Sequence, residues 1–136
     1  MIYVPNASEQ TCLDLIRVNR LQGGTLRLFI ANHVPVQGDA AATYAAIEAS
    51  FGGYAAIVTN GWGAVFNNGS NVAETDEGLR TFTATGAGLP TTVYGVYFLD
   101  AAGLLVFAEL DPGGGVLLSV AGDTYSYLPL FQLQTA

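Results

Sequence analysis

The chain contains few side chains that can perform chemistry, and their spacing matches no catalytic motif. His33 is the single histidine and Cys12 the single cysteine in 136 residues. A catalytic triad needs a nucleophile beside a base that a third group orients, and the sequence supplies no such set. Zinc sites need several His or Cys ligands at short spacing. We therefore expect His33 to be a loop residue with a turn hydrogen bond, and Cys12, in an apolar stretch, to be a buried structural thiol.

An acidic stretch and a glycine run are the remaining candidates for ligand chemistry. Glu74, Asp76 and Glu77 place three carboxylates in four residues, and Ca²⁺ binds carboxylate and carbonyl oxygens. The stretch lacks the alternating ligands and distant bidentate glutamate of a calcium loop, so a solvated turn is favoured over a calcium site. The run at 111–115 lacks the lysine of a phosphate-binding loop and opens no helix, which predicts a flexible β-turn. The sequence therefore predicts neither a cofactor nor an enzyme.

The single tryptophan, Trp62, lies between two glycines. A sugar ring can stack on an exposed tryptophan, and Tyr54, Tyr94 and Tyr97 are candidates to extend such a platform. A lone tryptophan in an all-β domain is more often an anchor in the core or at an interface. The anchor is the favoured interpretation, and carbohydrate stacking is the alternative.

Charge and composition exclude several classes of partner. Eleven acidic residues against four arginines, with no lysine, give a net charge of −7. Nucleic acids and anionic membranes both attract clustered Lys and Arg, so neither is expected to bind this chain. Hydrophobic residues make up 51% of the chain and charged residues only 11%, against roughly 25% charged in an average soluble domain. Because interfaces are depleted in Lys and Glu, this composition predicts a protein mostly surrounded by other subunits.

One clear helix is expected, near the N-terminus. Asn6 suits the N-cap position, and Glu9 follows three residues later as in a capping box. Apolar residues at helical spacing up to Ile16 predict a helix over 7–19, which ends before two glycines. The alanine-rich segment 40–50 is either a short helix or a compact loop.

The rest of the chain is predicted to form short strands. They lie at 25–31, 54–59, 62–67, 71–75, 79–85, 92–100, 104–110, 116–120 and 124–134. Residues 25–31 alternate, with Leu26, Leu28 and Ile30 on one face and Arg27 and Phe29 on the other. Turn signals recur roughly every 8–12 residues, a spacing typical of antiparallel sandwiches. Asn60-Gly61 and Asn68-Gly69 are expected to close tight hairpins, and 101–103 a third. The sequence thus predicts an all-β fold, an antiparallel β-sandwich or jelly roll with a short N-terminal helix. No linker divides residues 1–136, so we expect one domain whose N-terminal arm and helix occupy about 1–22.

Short motifs along nearly the whole chain form a family pattern. They are Val4-Pro5-Asn6, Leu26-Arg27-Leu28-Phe29, Asn32, Val34-Pro35, Gly53-Tyr54-Ala55, Gly61-Trp62, Thr81-Phe82-Thr83, Val93-Tyr94-Gly95-Val96-Tyr97, Ala108-Glu109 and Gly122-Asp123-Thr124. The pattern resembles that of small virion proteins of tailed bacteriophages, in particular head cement or decoration proteins. These are often jelly-roll or β-sandwich domains that bind the outside of an assembled capsid. The resemblance implies a location on the capsid exterior and the major capsid protein as partner, and it gives no residue an inherited role.

An N-terminal arm and two aromatic residues are the candidate contacts with neighbouring subunits. The candidate interface residues are Met1, Ile2, Tyr3, Val4, Tyr54 and Trp62. The arm is expected to reach a neighbour, and the two aromatic side chains are expected to be anchors. We expect a homo-dimer or homo-trimer. The alternatives are a tail-associated carbohydrate-binding β-sandwich and another structural subunit of the tail or connector.

Overall fold

The computed structural model describes residues 6–70 and 72–133, most of which lie in strands and the loops between them. The chain begins with helix α1 (Asn6–Ile16) and a π-helical turn (Arg17–Leu21), and a short helix α2 (Ala41–Ala45) follows the first strand. The strands are β1 (Gly24–Phe29), β2 (Ile57–Thr59), β3 (Phe66–Asn67), β4 (Ala73–Asp76), β5 (Arg80–Thr83), β6 (Thr91–Val93), β7 (Gly95–Leu99), β8 (Leu105–Leu110), β9 (Val116–Leu118), β10 (Thr124–Tyr127) and β11 (Leu130–Leu133).

All strand pairs in the described ranges are antiparallel. The sheets have the strand orders β2-β1-β7-β8, β11-β4-β3, β10-β5 and β6-β9. The predicted all-β class with a short N-terminal helix is therefore confirmed, and the jelly-roll connectivity stays a prediction. No helix in the described part of the chain is long and apolar enough to cross a membrane.

Helix α1 packs on the sheet β11-β4-β3. Glu9 and Leu13, one turn apart, are buried, whereas Cys12 is exposed. The prediction of a buried thiol is wrong because neighbouring helical residues point about 100° apart, so Cys12 cannot share the buried direction of Leu13. The predicted helix over 7–19 corresponds to α1 and the first part of the π-helical turn, and Gly23 then reverses the chain with φ of +74°.

Strand β1 is covered on both faces, and this places the core. Leu26 and Leu28 are fully buried in the main hydrophobic cluster. On the opposite face, Phe29 packs with Tyr44 and Tyr97 in a second, smaller cluster. The sequence correctly predicts the alternation along β1. Both faces of the strand are buried, however, because Phe29 on the second face is as inaccessible to solvent as Leu26 and Leu28 on the first. The four-stranded sheet is thus the centre of the molecule, with α2 on its second face.

The turn predictions are partly confirmed. Residues 101–103 close the hairpin between β7 and β8, and Asn68-Gly69 directly follows β3, which pairs with β4 in an antiparallel manner. The predicted hairpin at Asn60-Gly61 is wrong, because β2 pairs with β1 and the chain then leaves that sheet. The run at 111–115 forms a turn in which Gly114 N–H donates to the Asp111 carbonyl over 3.0 Å.

Two long predicted strands are each divided. Residues 92–100 split at Tyr94 into β6 and β7, which belong to different sheets. Residues 124–134 split at Leu128-Pro129, where the proline supplies no N–H for a ladder. Both divisions let one continuous apolar segment serve two sheets, which the local pattern does not reveal.

The acidic stretch at 74–77 is not a solvated turn, contrary to the prediction. Three of its residues lie in β4, and Thr75 is fully buried. Glu77 is 4% exposed and forms an ion pair with Arg80. Within the described ranges, no group of three His, Cys, Asp or Glu side chains converges on a possible metal position. The stretch therefore has a structural place in the sheet.

Candidate functional site: the open edge of strand β8

Trp62 is an internal anchor and not a surface one. Its side chain is 3% exposed. Its Nε1–H donates to Thr59 Oγ1 over 3.1 Å, and its ring lies edge-on to Phe98 with centroids 5.9 Å apart. The sugar-platform alternative for Trp62 is wrong, because neither face of the indole is open to a ligand.

The Tyr54 hydroxyl links strand β1 to Glu48 by two hydrogen bonds. It accepts the Leu28 N–H over 3.3 Å and donates to Glu48 Oε1 over 2.7 Å. Glu48 also binds Arg27 Nη1 at 3.0 Å. Burial, and then the bond to Glu48, raise the pKa of Tyr54, so the hydroxyl stays a donor. Tyr54 and Trp62 both contribute to the main cluster, and they form no joint surface. Met1 to Val4 lie outside the described residues.

Replacing Tyr54 by phenylalanine is expected to destabilise the domain by about 1–3 kcal/mol, because a partly buried donor and acceptor lose their partner. Urea unfolding measures this as a lower midpoint with an unchanged slope. Tyr94→Phe is the matched control, since the Tyr94 hydroxyl makes no hydrogen bond within the described residues. Equal midpoints for the two variants would contradict a stabilising role for the hydrogen bonds of the Tyr54 hydroxyl.

Strand β8 is the margin of the central sheet and pairs with β7 alone. With six residues it is as long as β1, the longest of the other strands in the described ranges. A strand at the edge of a sheet presents backbone groups that can pair with another chain, and natural proteins usually protect it with Lys or Pro. The sequence LVFAEL contains neither; its protection is limited to the charge of Glu109 and a one-residue shift of register opposite Phe98 and Leu99. This edge is therefore the most extended open hydrogen-bonding surface on the described sheets.

The direction of the backbone groups can be followed across the sheet from β1. Leu28 points its backbone away from β7, since its N–H reaches the Tyr54 hydroxyl and its carbonyl accepts the Ala49 N–H at 3.0 Å. Directions alternate along an antiparallel strand. Phe29 therefore points its backbone toward its β7 partner, Gly95.

The same alternation gives the direction of the groups in β8. Since Gly95 faces β1, Val96 faces β8 and its partner there, Glu109. Glu109 thus bonds to β7, whereas Ala108 and Leu110 point their N–H and C=O groups outward. Within the described ranges no backbone group bonds to these outward groups.

A cleft of about 340 Å³ lies against the first four residues of this edge. Residues 105–108 of β8 and Tyr44 of α2 form one side, and the loop 35–39 forms the other. Val36, on the loop, is 59% exposed. Seven of the nine lining residues are apolar or aromatic, and the other two are Gln37 and Asp39; we call this space the apolar cleft. Its length along a strand edge suits an extended peptide segment.

Asp39 fixes the loop that walls the apolar cleft. Its Oδ2 accepts the Val36 N–H at 3.0 Å and the Tyr44 hydroxyl at 2.9 Å, and it lies 2.8 Å from His33 Nε2. The Val36 N–H, followed by His33, lowers the pKa of Asp39. Tyr44 stacks on Tyr97 at 5.2 Å between centroids, so the wall is tied to the second cluster. His33 is a loop residue with a local hydrogen bond, as predicted.

The stabilising effect of Asp39 is expected to disappear in acid. Because folding lowers its pKa, the effect is fully present above the ordinary value of 3.8 and is lost as pH falls through the lower folded pKa. Asp39→Asn should therefore be less stable than the wild type near pH 6, and the two should converge toward pH 2. Urea unfolding of both proteins across this range measures the difference. A difference that does not change with pH would contradict the proposed bonds.

A second cleft, of about 120 Å³, continues along β8 from residue 109. Tyr127 donates its hydroxyl to Glu109 Oε2, and Tyr125 donates to Asp111 Oδ2 over 3.3 Å. Burial is the main cause that raises the pKa of both tyrosines, so both hydroxyls stay protonated and hold the carboxylates in place. We call this space the acidic cleft. The two clefts border successive residues of one strand, and Tyr44 and Tyr125 place them on opposite faces of its sheet.

The residue pattern does not predict this site. Residues 104–110 are predicted to form a strand from their sequence. Its position at the margin depends on strand order, which is set by partners far away in the chain. No protein-family model, curated protein sequence or solved structure matches this chain.

Proposed function

We propose that this protein is a structural protein of a tailed-phage virion, a cement or decoration protein that binds across junctions between major capsid subunits on the outside of the shell. The family resemblance supports the class of protein. The open edge of β8 supports the mode of binding, which is the addition of an extended segment of a capsid subunit to the central sheet.

The observation that carries the proposal is the outward backbone of Ala108 and Leu110 beside the apolar cleft. In strand addition, main-chain hydrogen bonds provide affinity, and pockets for alternate side chains provide specificity. The loop 35–39 supplies such a pocket next to the edge. An unprotected flat edge would promote aggregation, whereas an edge beside a walled cleft favours one docked segment.

The proposed stabilisation of the shell comes from apolar surface that each of many bound copies buries. A standard interface buries about 1,600 Å² of surface in total. At about 25 cal/mol per Å² of apolar area, this burial gives a large favourable free energy before the costs of association are subtracted. Association entropy cancels much of this free energy for one copy. Many copies on one shell act together, so even a modest net affinity per copy reinforces the joints.

Self-association as a dimer or trimer belongs to the same proposal. Phe66 on β3 and Leu130 on β11 are 44% and 45% exposed. They lie on the face of the sheet β11-β4-β3 that carries Glu74 and Asp76, because Phe66 pairs with Glu74 and Leu130 with Asp76. This face belongs to a different sheet from β8. The mass of the purified protein in solution measures the number of copies.

Co-sedimentation with empty shells tests the function. The shells are assembled from the major capsid protein encoded in the same genome, and unassembled capsid subunits are the control. We expect the protein to sediment with shells, to saturate at a fixed ratio and to delay heat release of DNA from filled particles. Protein that stays in the supernatant at every ratio would contradict the proposal.

A further inference from the structure

The open edge of β8 borders two clefts: one is lined mostly by apolar residues, with Asp39 bonded to His33, and the other contains the carboxylates of Glu109 and Asp111. Its first four residues border the apolar cleft, and Glu109 and Leu110 border the acidic cleft. A segment paired along the whole edge therefore passes Val36 at one end and the carboxylates of Glu109 and Asp111 at the other. The two ends of the edge favour different side chains in the docked segment.

The carboxylates of the acidic cleft are not neutralised by a cation of this chain. All four arginines are held in ion pairs elsewhere: Arg17 with Asp14, Arg20 with Asp100, Arg27 with Glu48 and Arg80 with Glu77. The chain contains no lysine, so it has no further cationic side chain apart from its single histidine. Within the described ranges, Glu109 Oε1 makes no hydrogen bond, while Oε2 is held by Tyr127.

We infer that the segment that docks on β8 is basic at one end: it carries a lysine or arginine that binds Glu109 and Asp111, and apolar side chains that fill the apolar cleft. This inference rests on the proposed strand docking and adds the chemistry of the partner. Opposite charge at an interface steers association and fixes the register of the docked strand. A second copy of this chain is a poor occupant of this edge, because all four of its arginines are already held in ion pairs.

A displayed library of random peptides of about nine residues, enough to span a strand of this length, tests the inference on the full chain. The library is selected on the wild type, on the double variant Glu109→Gln with Asp111→Asn, and on Glu74→Gln with Asp76→Asn. The last variant removes the same two charges from the outer face of β4 and is the matched control. Both amide variants keep an oxygen that can accept the local hydrogen bonds.

We expect peptides selected on the wild type and on the control to alternate apolar residues and to carry Lys or Arg toward one end. Selection on the Glu109 and Asp111 variant should lose the basic residue and keep the apolar alternation. A wild-type peptide should bind that variant about tenfold more weakly, and only its binding to wild type and control should weaken with salt.

The inference is overturned if wild-type peptides show no basic enrichment, if the enrichment persists on the Glu109 and Asp111 variant, or if no peptide is selected. The proposed function has its own readout in shell co-sedimentation. Shell binding that resists salt and the loss of both carboxylates would leave the cement proposal intact while removing the basic segment.

Discussion

Ala108→Pro is expected to weaken shell binding by about 100-fold, close to 3 kcal/mol. The Ala108 N–H points outward, so proline removes a donor from the open edge without removing one from the ladder with β7. Proline is tolerated in edge strands at such positions. Its ring also occupies the space next to the edge where a docked strand must approach. Co-sedimentation with shells measures the loss, and circular dichroism checks that the strands are retained.

Ala108→Ser is the matched control, since it changes the side chain and keeps the N–H. A second pair of variants tests the same surface without altering the backbone. Val36→Asp places a charge on the wall of the apolar cleft, and Val58→Asp places one on β2, at the opposite margin of the sheet. The two valines are similarly exposed, at 59% and 57%, so both variants should fold.

Val36→Asp should weaken shell binding by about tenfold, because a docked apolar segment would desolvate the new carboxylate. Val58→Asp should bind as the wild type does. If both Ala108→Pro and Val36→Asp bind shells as the wild type does, β8 is not the docking edge. If Val36→Asp and Val58→Asp lose the same affinity, the loss is caused by the added charge alone.

Trp62→Ala is expected to reduce the free energy of unfolding by about 3–5 kcal/mol, a large share of the stability of a small domain. The variant leaves a cavity beside Phe98 and removes the Nε1–H donor to Thr59 Oγ1. Thr59 is fully buried, so its hydroxyl loses a partner that water cannot easily replace. Urea unfolding followed by circular dichroism measures the change without relying on tryptophan fluorescence.

Trp62→Phe is the control for the indole N–H, because it keeps much of the ring and should lose less than the alanine variant. A loss below about 1 kcal/mol for Trp62→Ala would contradict the buried anchor and favour a surface role, since exposed positions are usually near neutral.

The fold class could be predicted because it depends on local signals. Turn residues at short spacing indicate an antiparallel sandwich, and the helix near the N-terminus follows from the helical periodicity of its apolar residues. Alternation along β1 correctly placed Leu26 and Leu28 on one buried face. These features repeat along the chain and need no knowledge of distant partners.

The errors arise where one residue decides the outcome. Cys12 is one position away from Leu13, and that step is enough to turn its thiol from the sheet to solvent. Asn60-Gly61 has the residues of a tight hairpin, but β2 finds its partner in β1, more than thirty positions earlier in the chain. Composition alone does not indicate such long-range pairing.

The candidate site could not be predicted because it depends on strand order. The acidic cleft brings residues 109–112 together with 125–128, and the apolar cleft brings 35–39 together with 105–108. The composition predicted contact with other subunits and indicated no particular strand. Only the order β2-β1-β7-β8 identifies which edge is long, apolar and bordered by clefts.

Hydrogen exchange of the outward amides tests the central claim most directly. The protein is exposed to deuterated water free and bound to shells, then released and read at single-residue resolution. We predict that the amides of Ala108 and Leu110 exchange rapidly in the free protein and are protected at least tenfold, about 1.4 kcal/mol, on shells. The amide of Glu109, which faces β7, should be protected in both states. Binding to shells that leaves the exchange of Ala108 and Leu110 unchanged would contradict the docking of a strand on β8.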